Sequence, residues 1–148
     1  MDRQAAIELL LEHYRSPHNR EKQPDADVVM PGGNPGCGDI VTIYLKVDRP
    51  AEKIDRVTFE GEGCTISQAA ASILTELVDG LPLSEIEAMD YHAIVDVIGT
   101  EVAQSRPRCA TLALGTLKAA IKKFRHDRLR ESLGQEAVPD PVLDRFEI

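Results

Sequence analysis

Ala6, Ile7, Leu10, Leu11 and Tyr14 recur at helical spacing, so residues 3–14 are predicted to form an amphipathic helix that ends at Ser16-Pro17. Asp27 to Met30 then reads as a short strand before the turn-rich run Pro31-Gly32-Gly33-Asn34-Pro35-Gly36. From Ile40 to Val47 the period is two: Val41, Ile43, Leu45 and Val47 alternate with Ile40, Thr42, Tyr44 and Lys46, as a strand with one buried face requires. Arg49-Pro50 breaks that strand. Ile54 to Glu60 resumes it with Val57 and Phe59 on one face, and the short connection predicts an antiparallel hairpin.

The helical period returns at Thr65. Ile66, Ala69, Ala70, Ile73, Leu74, Leu77 and Val78 follow the i, i+3, i+4, i+7 pattern up to Asp79-Gly80, where glycine suits a helix stop. Ser84 with Glu87 has the form of a capping box for a short helix. Asp90, Ala93, Ile94, Val97 and Ile98 suggest another, ending near Gly99. Leu112, Leu117, Ala120, Ile121 and Phe124 mark a long helix from about Pro107 to Arg130. Strands grouped before helices predict an α+β fold, a small three-stranded antiparallel sheet with helices packed mainly on one face. That domain is expected over residues 1–133. Residues 134–148, with Pro139, Pro141 and scattered apolar positions, are expected to form a C-terminal tail.

Composition narrows the class. At 148 residues and 43% hydrophobic content the chain supports a single core. No stretch approaches the roughly 18–20 apolar residues of a membrane span, and Met1-Asp2-Arg3-Gln4 lacks the basic-then-apolar order of a signal peptide. A cytoplasmic location is expected, and reducing conditions there favour metal or thiol chemistry for cysteine over crosslinking. A net charge of -8 argues against general nucleic-acid binding through phosphate neutralisation. The charge is uneven, however. Arg106, Arg108, Lys118, Lys122, Lys123, Arg125, Arg128 and Arg130 face only Asp127 within their stretch. This is either a solvated helix face or a docking surface for an acidic partner.

The candidate chemistry lies in three cysteines set in three dissimilar frames: Asn34-Pro35-Gly36-Cys37-Gly38-Asp39, Gly61-Glu62-Gly63-Cys64 and Arg106-Pro107-Arg108-Cys109. An odd number of thiols cannot all pair internally. Glycines flank Cys37 and Cys64, which permits unusual backbone angles and exposes the sulfurs. Cys64 lies where a strand hands over to a helix, and Cys109 falls in the first turn of the long helix. Helix N-termini, together with Arg106 and Arg108, favour thiolate, the form that binds metal and exchanges sulfur. Asp39, two residues beyond Cys37, is either a turn-former after glycine or a fourth ligand with Cys37, Cys64 and Cys109. Three sulfurs and one oxygen suit tetrahedral Zn2+, and a two-iron cluster can use the same positions. Spacing alone leaves isolated buried thiols as the other reading. His13, His18, His92 and His126 are further candidates for a fourth ligand.

These motifs carry a resemblance. Glu12-His13-Tyr14-Arg15-Ser16-Pro17-His18-Asn19-Arg20, Asn34 to Asp39, Gly61-Glu62-Gly63-Cys64-Thr65-Ile66-Ser67-Gln68-Ala69 and Arg106-Pro107-Arg108-Cys109-Ala110-Thr111-Leu112 resemble the U-type iron-sulfur cluster scaffold family, IscU, SufU and the N-terminal domain of NifU. The resemblance covers residues 3 to about 125. It implies a protein that receives sulfur from a pyridoxal-phosphate cysteine desulfurase and passes its product to apo iron-sulfur recipients. Such a protein either assembles a [2Fe-2S] cluster or, in SufU-like members, relays persulfide sulfur at a zinc site as a sulfurtransferase. Carried over by motif, Cys37, Asp39, Cys64 and Cys109 are the metal or cluster ligands, with Cys37 and Cys109 as candidate sulfur acceptors. A scaffold and sulfur acceptor is expected rather than a conventional enzyme. Two features divide the branches. Arg108 stands where IscU-type members have histidine, and the segment before it reads Ala103-Gln104-Ser105-Arg106-Pro107 in place of a Leu-Pro-Pro-Val-Lys segment. The span from Cys64 to Cys109 nevertheless lacks the insertion of SufU-type members.

Overall fold

The structure, a computed structural model, describes residues 3–34 and 38–133. Cys37 and the expected 134–148 tail lie outside the described residues. Three strands, β1 (Val28–Asn34), β2 (Asp39–Asp48) and β3 (Lys53–Glu62), form an antiparallel sheet in the order β1-β2-β3. The helices are α1 (Arg3–Arg15), α2 (Thr65–Leu77), α3 (Leu83–Ala88), α4 (His92–Ile98), α5 (Thr100–Ser105) and α6 (Pro107–Ser132). Among the described residues, no helix is long and apolar enough to cross a membrane.

The alternation in β2 decides which face is covered. Val41, Ile43 and Leu45 are fully buried, whereas Ile40 on the opposite face is 52% exposed. Against the apolar face lie α6, over β1 and β2, and α2, over β3; α1 packs in turn on α2. Phe59, Leu74, Leu117 and Ile121 fill the space between sheet and helices. Each contributes about 1.5–3 kcal/mol by leaving water. The α+β arrangement, three strands with helices mainly on one face, is the one the pattern predicts. On the other face, the segment after α1 covers part of β3: Asn19 C=O accepts from the Phe59 N–H at 3.0 Å, and Thr58 Oγ1 donates to buried Gln23 Oε1 at 3.3 Å.

Two local expectations are corrected and one is extended. First, β1 runs on through Pro31-Gly32-Gly33 to Asn34, where a turn was expected, and Asn34 pairs with Asp39. An edge strand tolerates proline because only one of its sides needs ladder donors. Gly32 lets α6 come close: a Cβ there would sit 2.0 Å from Thr116 Oγ1. Second, Ser84 and Glu87 form no capping box. Pro82 is the N-cap of α3 without a side-chain bond, and Glu87 pairs with Arg125 at 2.7 Å. Third, Gly99 ends α4 as expected, but the helical run resumes at once. With φ of +91° it ends α4 and opens α5, a helix too short to show a period in the sequence.

The Gly32 contact makes a stability prediction. Gly32→Ala is expected to destabilise the fold by about 1–3 kcal/mol, because Thr116 is β-branched and held on a helix. Denaturant unfolding should show part of that loss recovered in the double variant Gly32→Ala with Thr116→Ala.

Candidate metal centre

Three element ends meet at one point. Asp39 opens β2, Cys64 is the N-cap of α2 directly after β3, and Cys109 lies in the first turn of α6. The hairpin and the packing of both helices on the sheet bring them together. Asp39 and Cys109 are each 1% exposed, and Cys64 is half-buried.

The carboxylate of Asp39 organises the group. Its Oδ1 accepts the Cys64 backbone N–H at 2.7 Å. Its Oδ2 accepts from the Cys109 thiol at 2.7 Å and from the Cys64 thiol at 3.7 Å. The Ser67 N–H donates to Cys64 Sγ at 3.5 Å, so this thiol occupies the place of a helix-capping oxygen. Ser67 Oγ donates to the Cys64 carbonyl at 3.1 Å and accepts from Gln68 Nε2 at 3.2 Å. Burial pushes the Asp39 carboxyl up. Hydrogen bonds from Cys109, the Cys64 N–H, Ser67 and the Cys64 thiol outweigh it and hold the carboxyl below the usual range.

Gly63 completes the cradle. Its φ is +146°, and a Cβ there would lie 2.1 Å from Asp39 Oδ1. The sequence suggested that glycine exposes the adjoining sulfur; the structure gives it the further task of letting a carboxylate approach the backbone.

One oxygen and two sulfurs, from Asp39, Cys64 and Cys109, lie within 4.8 Å of one another. This donor set has the borderline-soft character of a zinc or iron-sulfur site, and small side-chain shifts bring its atoms to ligand distance. Of the other residues singled out in the sequence, none of the four histidines belongs to this group. His13 and His18 gather instead with Glu76, near the far end of α2. Burial, followed by the neighbouring His18, holds His13 below the ordinary histidine range against the opposing pull of Glu76 and Glu12. His92 is exposed and faces Asp90 at 3.0 Å, and His126 lies within α6.

Sequence reasoning did not single out Ser67. Its signal was its place three residues after an N-cap, where a backbone N–H needs a partner. The basic stretch also proves mixed. Arg125 pairs with Glu87 and Glu52, Lys123 with Asp127, and Lys118 Nζ donates to the Met89 carbonyl. Arg106 and Arg108 are exposed beside Cys109.

Residues 6–131 match the sequence profile of the family described as the NifU-like N terminal domain. The chain belongs to that family. Within it, the chain is 33% identical over 132 residues to the iron-sulfur cluster assembly scaffold protein IscU 1 of Archaeoglobus fulgidus, covering 86% of this chain and 84% of that protein. It is 30% identical over 133 residues to the zinc-dependent sulfurtransferase SufU of Bacillus subtilis, covering 78% and 88% respectively. The crystal structure of a proposed SUF-system scaffold protein from Fervidobacterium islandicum AW-1 superposes with a TM-score of 0.65 at 28% identity, covering 77% of this chain and 94% of the other. This NifU-like domain thus has named relatives in both the IscU and SufU branches.

Replacing Gly63 by alanine should displace Asp39 and impose an unfavourable backbone angle, at a cost of about 1–3 kcal/mol in unfolding experiments on metal-free protein. The cost should be smaller against an Asp39→Ala background, because the clash is with that side chain.

Proposed function

We propose that this NifU-like domain is an iron-sulfur cluster assembly scaffold that accepts sulfur from a pyridoxal-phosphate cysteine desulfurase in the cytoplasm. Cys37, Asp39, Cys64 and Cys109 hold Zn2+ or a [2Fe-2S] cluster, and apo iron-sulfur proteins receive the product. The observation that carries this reading is the Asp39 carboxylate held between two thiols at the starts of two helices. Cys37, two residues before Asp39, is the fourth ligand by motif.

Without a cation, the carboxylate keeps the neighbouring thiols as hydrogen-bond donors. Loading the site releases those protons, so occupancy should rise with pH. Bound zinc supplies positive charge that keeps thiolates reduced and oriented without redox activity of its own. Asp39 fixes the Cys64 backbone and both sulfurs about one point, and the surrounding burial restricts water.

In the sulfur step, a thiolate of this domain attacks the terminal sulfur of a persulfide on the desulfurase. A new S–S bond forms, the donor S–S bond breaks, and the desulfurase cysteine leaves as thiolate. Cys109 is 1% exposed, which disfavours it as the point of entry. We therefore assign first acceptance to Cys37, with Cys109 as the inner alternative.

A second reading, a zinc-dependent sulfurtransferase that relays persulfide without holding a cluster, is favoured by exposed Arg108 immediately before Cys109. Anaerobic reconstitution with the desulfurase separates the two. A [2Fe-2S] cluster that moves to an apo-ferredoxin supports the scaffold; stimulated desulfurase turnover without a transferable cluster supports the sulfurtransferase. In the same mixture, mass spectrometry should find the first persulfide on Cys37, and a persulfide solely on Cys64 would defeat both acceptor assignments. Reversing Arg106 and Arg108 to glutamate should weaken desulfurase binding by roughly tenfold at low salt, with the difference shrinking as salt is added.

A further inference from the structure

The histidines of the first motif form a second cluster that the cysteine chemistry does not use. His13 lies in the last turn of α1, His18 follows in the connecting segment, and Glu76 lies in the last turn of α2. Their ligand atoms lie within 4.8 Å of one another. His13 is 4% exposed, and its Nδ1 is engaged by Ser72 Oγ at 2.7 Å. Ser72 Oγ also accepts the His18 backbone N–H at 2.7 Å, so one buried hydroxyl fixes the placement of both histidines. The other ring nitrogen, His13 Nε2, faces Glu76 Oε2 at 3.9 Å, and His18 Nδ1 contacts Glu76 Oε1. The rings of His13 and His18 stand 4.6 Å apart between centroids.

We propose that His13 Nε2, His18 Nδ1 and the Glu76 carboxylate form a second metal site for a borderline first-row divalent cation such as Fe2+ or Zn2+. Two imidazoles and one carboxylate are ligands of that class, and three protein ligands leave coordination positions open to water or an incoming group. Metal–ligand bonds of about 2.0–2.1 Å set neighbouring donor atoms about 3.3 Å apart, so His13 Nε2 and Glu76 must draw together while His18 Nδ1 and Glu76 Oε1, now in direct contact, part to admit the ion. His18 and Glu76 are 43% and 48% exposed and able to make that movement, while buried His13 provides the fixed point. A histidine ligand ordinarily has its second nitrogen held by a hydrogen bond, and Ser72 supplies that support here. The site is distinct from the cysteine centre: α2 separates Cys64 from Glu76 by twelve residues, about 18 Å along the helix. It staples α1 to α2 and offers an oxygen- and nitrogen-rich cation site on the domain whose other centre is sulfur-rich.

The test uses the full chain, kept anaerobic and titrated with Co2+, whose absorption distinguishes thiolate from nitrogen and oxygen ligands. Two equivalents are expected to bind, one with a thiolate charge-transfer band and one without. His18→Ala and, separately, Glu76→Gln should weaken the band-free equivalent by at least about tenfold and leave the thiolate band intact. Cys64→Ser should perturb only the band. Zn2+ or Fe2+ should displace the band-free Co2+, whereas Mg2+ at equal concentration should not. Both substituted side chains are about half exposed, and unchanged circular dichroism will show that the variants are folded. Absence of a band-free equivalent in the unsubstituted protein would overturn the proposal, as would its persistence at unchanged affinity in folded His18→Ala and Glu76→Gln, or its displacement by Mg2+. Loss of the thiolate band with the other equivalent retained would count against the cysteine centre alone.

Discussion

A carboxylate buried to 1% exposure is tolerated only when its oxygens are occupied, and that constraint on Asp39 orders the structure. One oxygen takes a backbone N–H from the start of α2; the other takes a thiol from the start of α6. These partners come from distant parts of the sequence, so the carboxylate is satisfied only when β2, α2 and α6 are all in place. The hairpin that joins β2 to β3 delivers Cys64 beside Asp39, and the apolar face of the sheet sets the height at which α6 begins. Core packing and the site are therefore parts of one requirement.

The legible portion of this arrangement was the portion dictated locally. Alternation from Val41 to Val47 announced β2 because one face packs on the core and the other does not, and the helical spacing of apolar residues from Ile66 to Val78 announced α2, although that helix is buried all round from Ser67 to Thr75. The course of β1 was not legible. Pro31-Gly32-Gly33 has turn chemistry in isolation, and what overrides it is pairing with β2 and the close approach of α6 at Thr116. Asp39 was readable as a candidate from its place beside Cys37, but its hydrogen-bond partners depend on folding. Glu76 gave no local signal at all; it looks like an ordinary solvent-facing residue of α2 and meets His18 across 58 positions of sequence.

Charge along α6 is divided between two tasks. Its middle is fastened to the body of the domain, with Arg125 reaching α3 through Glu87 and the β2–β3 connection through Glu52. Lys118 reaches the end of α3 through the Met89 carbonyl. The exposed arginines at the start of the helix are thus offered on a firmly anchored element. A positive cluster beside buried thiols favours approach by acidic groups without requiring the rest of the surface to be basic, which reconciles it with a net charge of -8.

Pro31 has a consequence for the behaviour of the folded protein in company. It sits in β1, at the edge of the sheet, and has no N–H to offer. A strand from a second molecule laid along that edge would meet a missing donor there, followed by two glycines with no side chains to interlock. The residues that let α6 settle against the sheet also make its open border a poor template for another chain, so protection against edge-to-edge aggregation comes with the same short run of sequence.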